Sequence, residues 1–399
     1  MKDPKYAVWL QCALGQGGML PAEILRRFSS FQNFYESGAQ EWKLSGLFNV
    51  KQLDRLEHTP LQDAQIILQR CGQLRQTVLS LENSAYPDRL KQICDPPAVL
   101  YATGNLPDFD RRICIAVVGT RDATPTGIRV AMEFCSQMAK QGTVVVSGGA
   151  LGMDTAAHKG ALMVGGSTVA VLGCGLNTRY LAENAAMRQQ IQINGALVSE
   201  YPPDSPALGY HFPQRNRIIS GLSLGTLVVE AGEKSGSLIT ARQALEQGRD
   251  VFAIPGNLLS YHSSGSNRLL RDGAKPVLEV SDILEEYQDF SSTGLSGLGQ
   301  MNLFETVQTE GSKQRLLPTV DEDPKKGQKA MASVYIPETL SPEASALMGA
   351  LKPDPVAIDE LAAAAGLSAR EALSAITELE MESLIEALPG KQYRRVHYL

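Results

Sequence analysis

Between about Val78 and Phe290, short β-branched runs alternate with helical segments, which predicts an α/β fold built on a Rossmann-like parallel sheet. Two changes of pattern bound this region. In front of it, residues 1–76 carry apolar residues at helical spacing. Behind it, a polar stretch gives way to amphipathic helices and a hairpin. The expected order is therefore a small helical domain (1–76), a Rossmann-like domain (77–290), a linker (291–335) and a winged-helix domain (336–399).

The elements follow in chain order. Tyr6–Leu14, Pro21–Phe28 and Lys51–Leu56 are expected helices, interrupted by Gly-Gln-Gly-Gly at 15–18, a break suited to a sterile-alpha-motif or helix-hairpin-helix module. The expected strands are Ile113–Val118, Val144–Ser147, Thr168–Leu172, Ala196–Glu200, Thr226–Glu230 and Val251–Ile254. Ile128–Lys140, Asp154–Val164, Glu183–Ile193, Arg217–Ser223 and Ser237–Gln247 are the helices between them. Residues 291–335 are polar and without sustained periodicity. In the tail, Pro342–Leu351, Ile358–Ala365 and Ala369–Leu384 are amphipathic, with Ser368 as an N-cap, and Glu386–Val396 folds back around Pro389-Gly390. Three helices and a hairpin make a winged helix.

Composition narrows the class. At 399 residues, 43% hydrophobic and 20% charged, the chain has the make-up of a globular protein of two or three domains. No apolar run is long enough to cross a bilayer, and Met1–Leu20 lacks a signal pattern, so no membrane partner is expected. The six cysteines (Cys12, Cys71, Cys94, Cys114, Cys135 and Cys174) form no C-x-x-C pair. That argues against a zinc knuckle or a disulfide framework and fits a reducing cytoplasm. A net charge of −6 opposes a polyanionic partner unless positive charge is concentrated locally.

Such a concentration is legible at the strand ends, where ligands gather in open parallel sheets. The first strand is followed by Gly119-Thr120-Arg121, and the second by Ser147-Gly148-Gly149. Phe212, Arg215, Asn216 and Arg217 precede the fifth strand, and Lys234-Ser235-Gly236-Ser237 follows it. Glycines let the backbone approach an anion, and free N–H groups at helix starts point at it. Arg121, Arg215, Arg217 and Lys234 add charged donors. One such turn is ordinarily just a tight connection; several on one edge form a phosphate site.

The same region admits other chemistry. Asp154 and His158 are open to two readings, a catalytic or metal pair or a helix cap beside a packed histidine; the lack of a third ligand favours the second. Glu200 and Glu230 are either acid/base groups or, more in keeping with the arginines nearby, partners that hold an arginine. A nicotinamide enzyme would need G-x-G-x-x-G and an acid ending the next strand, which here ends in Gly173-Cys174-Gly175. No cofactor is expected.

Six motifs stand in order: Tyr86-Pro87-x-x-Leu90 with Pro96–Tyr101, Gly119-Thr120-Arg121, Ser147–His158, Phe212–Leu222, Ser235–Ala241 and Pro255-Gly256-Asn257. Across about Tyr86 to Leu284 the chain strongly resembles the DNA processing protein A family (DprA/Smf). The resemblance implies a single-stranded DNA-binding protein of natural transformation that protects incoming strands and loads the RecA recombinase, usually as a dimer; no enzyme activity is expected, because the helix after Ser237 begins without a carboxylate. It places Arg121, Ser147–Gly149, Arg215 and Arg217 at the DNA, with Phe212 offering a face to a base. The chain departs from the family pattern at Leu151, where Arg is frequent, and at Gly149, where Leu is more usual.

The alternative is a nucleotide-binding protein or a phosphoribohydrolase of the Lonely Guy type on the same sheet. That family carries a catalytic Glu on the helix after its second Gly-rich turn, whereas here Leu238-Ile239-Thr240-Ala241 follows Ser237. In the tail, Ala369–Leu384 carries Glu371, Glu378, Glu380 and Glu382 against Arg370, a face unsuited to a phosphate-lined groove. Lys391, Arg394 and Arg395 on the wing leave weak duplex contact open, but a protein-contacting module is expected. Gly256–Leu270, with Leu258, Leu259, Leu269 and Leu270, is the candidate for self-association.

Overall fold

A computed structural model describes residues 3–288, 290, 341–351, 356–368, 371–372, 375–376, 378–379, 385–388 and 392–395. The predicted linker at 291–335 lies outside them. The chain forms two compact units, Met1–Glu305 and Thr306–Leu399.

The first unit opens with α1 (Lys5–Leu14), α2 (Leu20–Phe28), α3 (Phe31–Leu44), α4 (Val50–His58) and α5 (Leu61–Gln73). Local chemistry sets their ends. Gly15 terminates α1 at φ 85°, Ser30 accepts the Asn33 N–H to cap α3, and Asn49 and Gln52 form a reciprocal capping box on α4. The apolar faces meet in an aromatic cluster in which Trp9, Phe34 and Trp42 pack ring against ring.

A nine-stranded sheet follows. Its strands are β1 (Thr77–Ser80), β2 (Val99–Gly104), β3 (Cys114–Val118), β4 (Val144–Ser147), β5 (Thr168–Leu172), β6 (Ala196–Ser199), β7 (Gly225–Val228), β8 (Asp250–Ala253) and β9 (Lys275–Pro276). They lie in the order β1-β2-β6-β5-β4-β3-β7-β8-β9. From β6 to β9 every neighbouring pair is parallel, with Ala116 of β3 opposite both Val146 and Thr226. The predicted parallel sheet is thus present. Sequence reasoning missed the edge that β1 and β2 add, which pairs antiparallel to β6 and needs no crossover helix.

The connecting helices are α6 (Asp88–Lys91), α7 (Pro125–Lys140), α8 (Met153–Met163), α9 (Ala185–Asn194), α10 (His211–Gly221), α11 (Ser237–Glu246) and α12 (Tyr261–Arg271). Alternate residues of each strand face opposite layers. Ala116, Val118, Val144 and Val146 join Ile218, Ile219, Ala241 and Ala244, in a core that runs on into Trp9, Phe31 and Phe34 of the helical module. Ile115, Val117 and Val145 pack on the other face against Ala131, Cys135, Met138, Ala157 and Ala161. Each large apolar side chain so enclosed contributes ~1.5–3 kcal/mol.

In the second unit a three-stranded antiparallel sheet, ordered Val356–Ala357, Gln392–Arg395, Ile385–Leu388, accompanies the helices Pro342–Ala350 and Ile358–Ala365. Ser341 caps the first helix, and Ser368, the expected N-cap, forms a capping box with Glu371. Two of the four acids noted in the sequence have local partners: Glu371 holds Ser368, and Glu378 accepts both the N–H and hydroxyl of Ser341. Arg370, Glu380, Glu382 and Lys391 lie outside the described residues, as do the side chains of Arg394 and Arg395.

Candidate nucleic-acid interface

From β3 the chain winds outward through β4, β5 and β6 on one side, then returns to β7 on the other. Such a reversal leaves a crevice beyond the carboxyl ends of the two strands, the usual ligand position in an open α/β sheet. Here it holds a cavity of about 420 Å³. Gly119, Thr120, Arg121, Phe212, Arg215, Asn216, Ser235, Gly236 and Ser237 line it together.

Backbone bonds lock the loops around this space. Thr120 N–H donates to the Glu230 carbonyl (2.8 Å), and Met153 N–H to the Thr120 carbonyl (3.1 Å). Thr124 donates from N (3.0 Å) and from Oγ1 (2.6 Å) to the Glu230 carboxylate, and its Oγ1 caps α7 by accepting from Gly127 N. Glu230 therefore holds a threonine rather than an arginine. The sequence signal was only that an acid ended a strand; the partner came from the neighbouring loop.

Arg215 forms the cavity's buried side. It is 3% exposed and donates from Nη1 to the carbonyls of Gly148 (2.6 Å) and Val171, and from Nε to Asn216 Oδ1 (3.2 Å). Burial lowers its pKa from the ordinary value and Asp154 opposes that shift; an arginine so placed remains a cation. Gly148 leaves no spare room here: a Cβ on it would stand 2.6 Å from both Arg215 Nη2 and Asp154 Oδ2, and one of those side chains would have to shift. Gly152, at φ 75°, is equally constrained, because its Cβ would meet the Arg121 carbonyl.

Asp154 is a cavity residue that sequence reasoning took for a cap. It is the second residue of α8, whose N-cap is Gly152, and its carboxylate accepts from Ala150 N (3.3 Å) instead. Burial raises its carboxyl pKa, with Arg215 pulling the other way. His158 packs as expected. Its Nδ1 lies 2.8 Å from Thr168 Oγ1 with the ring fully buried.

Arg121 stands exposed at the mouth, its guanidinium 5.5 Å from the centroid of the Phe212 ring, while that of Arg215 lies 6.0 Å away. On the same cavity, Ser235–Ser237 open α11; Ser235 Oγ accepts from Ser237 N (3.4 Å), and the Leu238 and Ile239 N–H groups donate to the carbonyls of Ser235 (3.1 Å) and Gly236 (3.2 Å).

Five predicted residues fall outside the lining. Ser147 is buried and donates to the Val117 carbonyl (2.6 Å), tying β4 to β3. Gly148 and Gly149 shape the loop beneath Arg215, and Lys234 is exposed beside the rim. Arg217 points away from the cavity altogether. It is buried against Glu200 and Asp95, because residues two apart on a helix such as α10 cannot share a face. Glu200 thus does hold an arginine. The self-association segment is split in the same manner: Leu258 (87%) and Leu259 (95%) are exposed, whereas Leu269 packs on the main core. Among the described residues no His, Cys, Asp or Glu cluster is arranged for a metal, and no helix is long and apolar enough to cross a membrane.

A switch-point cavity lined by one buried arginine, one exposed arginine and the start of α11 places the chain in the class of Rossmann-like α/β proteins. More particularly, the chain belongs to the DNA recombination-mediator protein A family: that family's model matches residues 77–288, and the DprA winged helix domain matches 333–391. It is 30% identical to protein Smf of Synechocystis over 99% of this chain and 100% of that one. It is 42% identical to DNA processing protein DprA of Bacillus subtilis over 52% of this chain and 70% of that relative. The X-ray structure of DprA from Streptococcus pneumoniae superposes with a TM-score of 0.62 at 35% identity, covering 72% of this chain and 99% of that one.

Proposed function

We propose that the switch-point cavity grips the phosphate backbone of single-stranded DNA without catalysing a reaction. On this reading the chain shields strands during recombination and passes them, as a homodimer, to the RecA recombinase. The observation that carries the proposal is that the guanidinium groups of Arg121 and Arg215 both lie against the Phe212 ring, in one cavity whose wall includes Ser235–Ser237 at the start of α11. Two cations in one cavity suit an anion. The ring beside them suits a base that is free to leave the stack, as only an unpaired base is. Confining the charge to this cavity lets a chain of net charge −6 hold a polyanion. Residues 77–290 carry the binding, 1–76 buttress it, and 336–399 serve a protein partner, since the acidic character of the third tail helix disfavours duplex DNA.

A gel shift comparing labelled poly-dT with a matched duplex tests the preference. Tighter retention of poly-dT supports it, and equal or tighter retention of the duplex contradicts it.

One observation favours the alternative. Asp154 is a buried carboxyl in the cavity wall, the type of group a phosphoribohydrolase would use. Against this, its oxygen is occupied by Ala150 N and it lies beside Arg215. Incubation with nucleoside monophosphates is expected to release no free base. Release that vanishes in Asp154→Asn would make the protein an enzyme.

A further inference from the structure

We propose that Tyr180 forms, with Phe212, a two-ring platform that stacks an unpaired nucleobase beside the phosphate cavity; this rests on the strand-binding reading above. The two rings lie with centroids 5.2 Å apart and planes inclined by 37°. Tyr180 is half-buried and does not line the cavity, whose wall on this side is Phe212. Phe212 therefore has both guanidinium groups and the Tyr180 ring as neighbours. A phosphate held by Arg121 leaves its own base within a few ångströms, where these rings offer an apolar face.

The loop carrying Tyr180 is fastened on both sides. Before it, Asn177 N donates to the Pro203 carbonyl (2.9 Å), and Thr178 Oγ1 to that of Ser205 (2.7 Å). After it, Arg188 Nη2 donates to the Leu181 carbonyl (3.1 Å), and Asn184 Nδ2 to that of Gly149 (3.2 Å). Leu181 itself adopts φ 50°, a left-handed conformation that an L-residue with a branched side chain adopts only under constraint from its surroundings. The short span between these anchors presents Tyr180 beside an exposed Arg179. An aromatic and a cation fixed at the edge of a phosphate site are the two components of a sequence-tolerant single-strand groove.

The test uses the full-length chain with two labelled strands of equal length, oligo-dT and an abasic deoxyribose-phosphate polymer. Wild type is expected to bind oligo-dT more tightly. Tyr180→Ala should weaken oligo-dT by about five-fold or more while leaving the abasic strand and its salt dependence unchanged. Tyr180→Phe should restore oligo-dT binding, since the ring and not the hydroxyl makes the contact. Equal weakening of both strands, or no weakening of either, overturns the assignment of Tyr180 while strand binding stands. If wild type binds neither strand, the strand-binding reading fails and this proposal fails with it.

Discussion

Arg217 and Glu200 form a two-pronged pair, Nη1 to Oε2 at 3.0 Å and Nη2 to Oε1 at 2.8 Å, with both side chains at most 4% exposed. The same carboxylate accepts from Gly17 N (3.0 Å), and the Glu200 carbonyl accepts from Gln11 Nε2 (2.8 Å). One glutamate thus joins α10, which carries Phe212 and Arg215, to the Gly-rich turn of the helical module. Burial works against the charge of Arg217, but Glu200 and Asp95 outweigh it and hold the guanidinium pKa above its ordinary value.

Truncating one partner of such a pair leaves the other charge buried with only its lesser partner, Asp95 for Arg217 or Gly17 N for Glu200. Glu200→Ala and Arg217→Ala should each lower unfolding stability by about 3–5 kcal/mol in urea melts. The double change Glu200→Leu with Arg217→Met should recover much of that deficit. Single variants as stable as wild type would show that the pair is not a structural joint.

Gly148→Ala tests the packing under the buried arginine. Its new methyl group meets both Arg215 and Asp154, so one or both of these side chains must shift. Overpacking of this kind costs about 1–3 kcal/mol. A fall in thermal midpoint is expected together with weaker oligonucleotide binding, whereas weaker stability with unchanged binding would separate Arg215 from the ligand.

His158 gives the fold a pH dependence. Burial, reinforced by Arg215, pushes its pKa down to about 3 from 6.5, so the native ring stays neutral while the unfolded chain takes up a proton. Stability therefore rises with pH from about 3 to about 6.5 and is flat above. Asp154 acts in the opposite sense. Its raised carboxyl pKa adds stability that is present at low pH and lost as the pH rises. The difference between wild type and His158→Gln isolates the histidine: relative to that variant, wild type should lose about 2 kcal/mol between pH 7 and pH 5. A difference independent of pH would mean that the ring is solvated.

The central strands were legible because both of their faces are buried. Val144-Val145-Val146 and Val169-Ala170-Val171 are continuous apolar runs with no polar side to confuse the period. The start of α10 was not. His211-Phe212-Pro213 reads as a loop, yet proline is tolerated in a helix's first turn, and the helix begins at His211 rather than at Arg217. That shift decides the site. On a loop, Arg215 and Arg217 could both reach a phosphate; on a helix they face opposite ways, one to the cavity and one to Glu200. Tyr180 carried no local signal and Asp154 read as a cap, because which residues meet at the cavity depends on the loops that the sheet order brings together.

The most direct measurement follows Arg121, the exposed cation at the cavity mouth whose removal should leave the fold intact. Fluorescence anisotropy of a labelled dT oligonucleotide would be recorded across a salt series for wild type and Arg121→Ala, with thermal melts of both proteins. Strand binding through phosphates predicts an unchanged melt, weaker affinity for every sequence, and a log–log salt slope shallower by about 0.7 for each phosphate that Arg121 neutralises. An Arg121→Ala protein that binds as tightly as wild type, with the same slope, would contradict strand binding at this cavity.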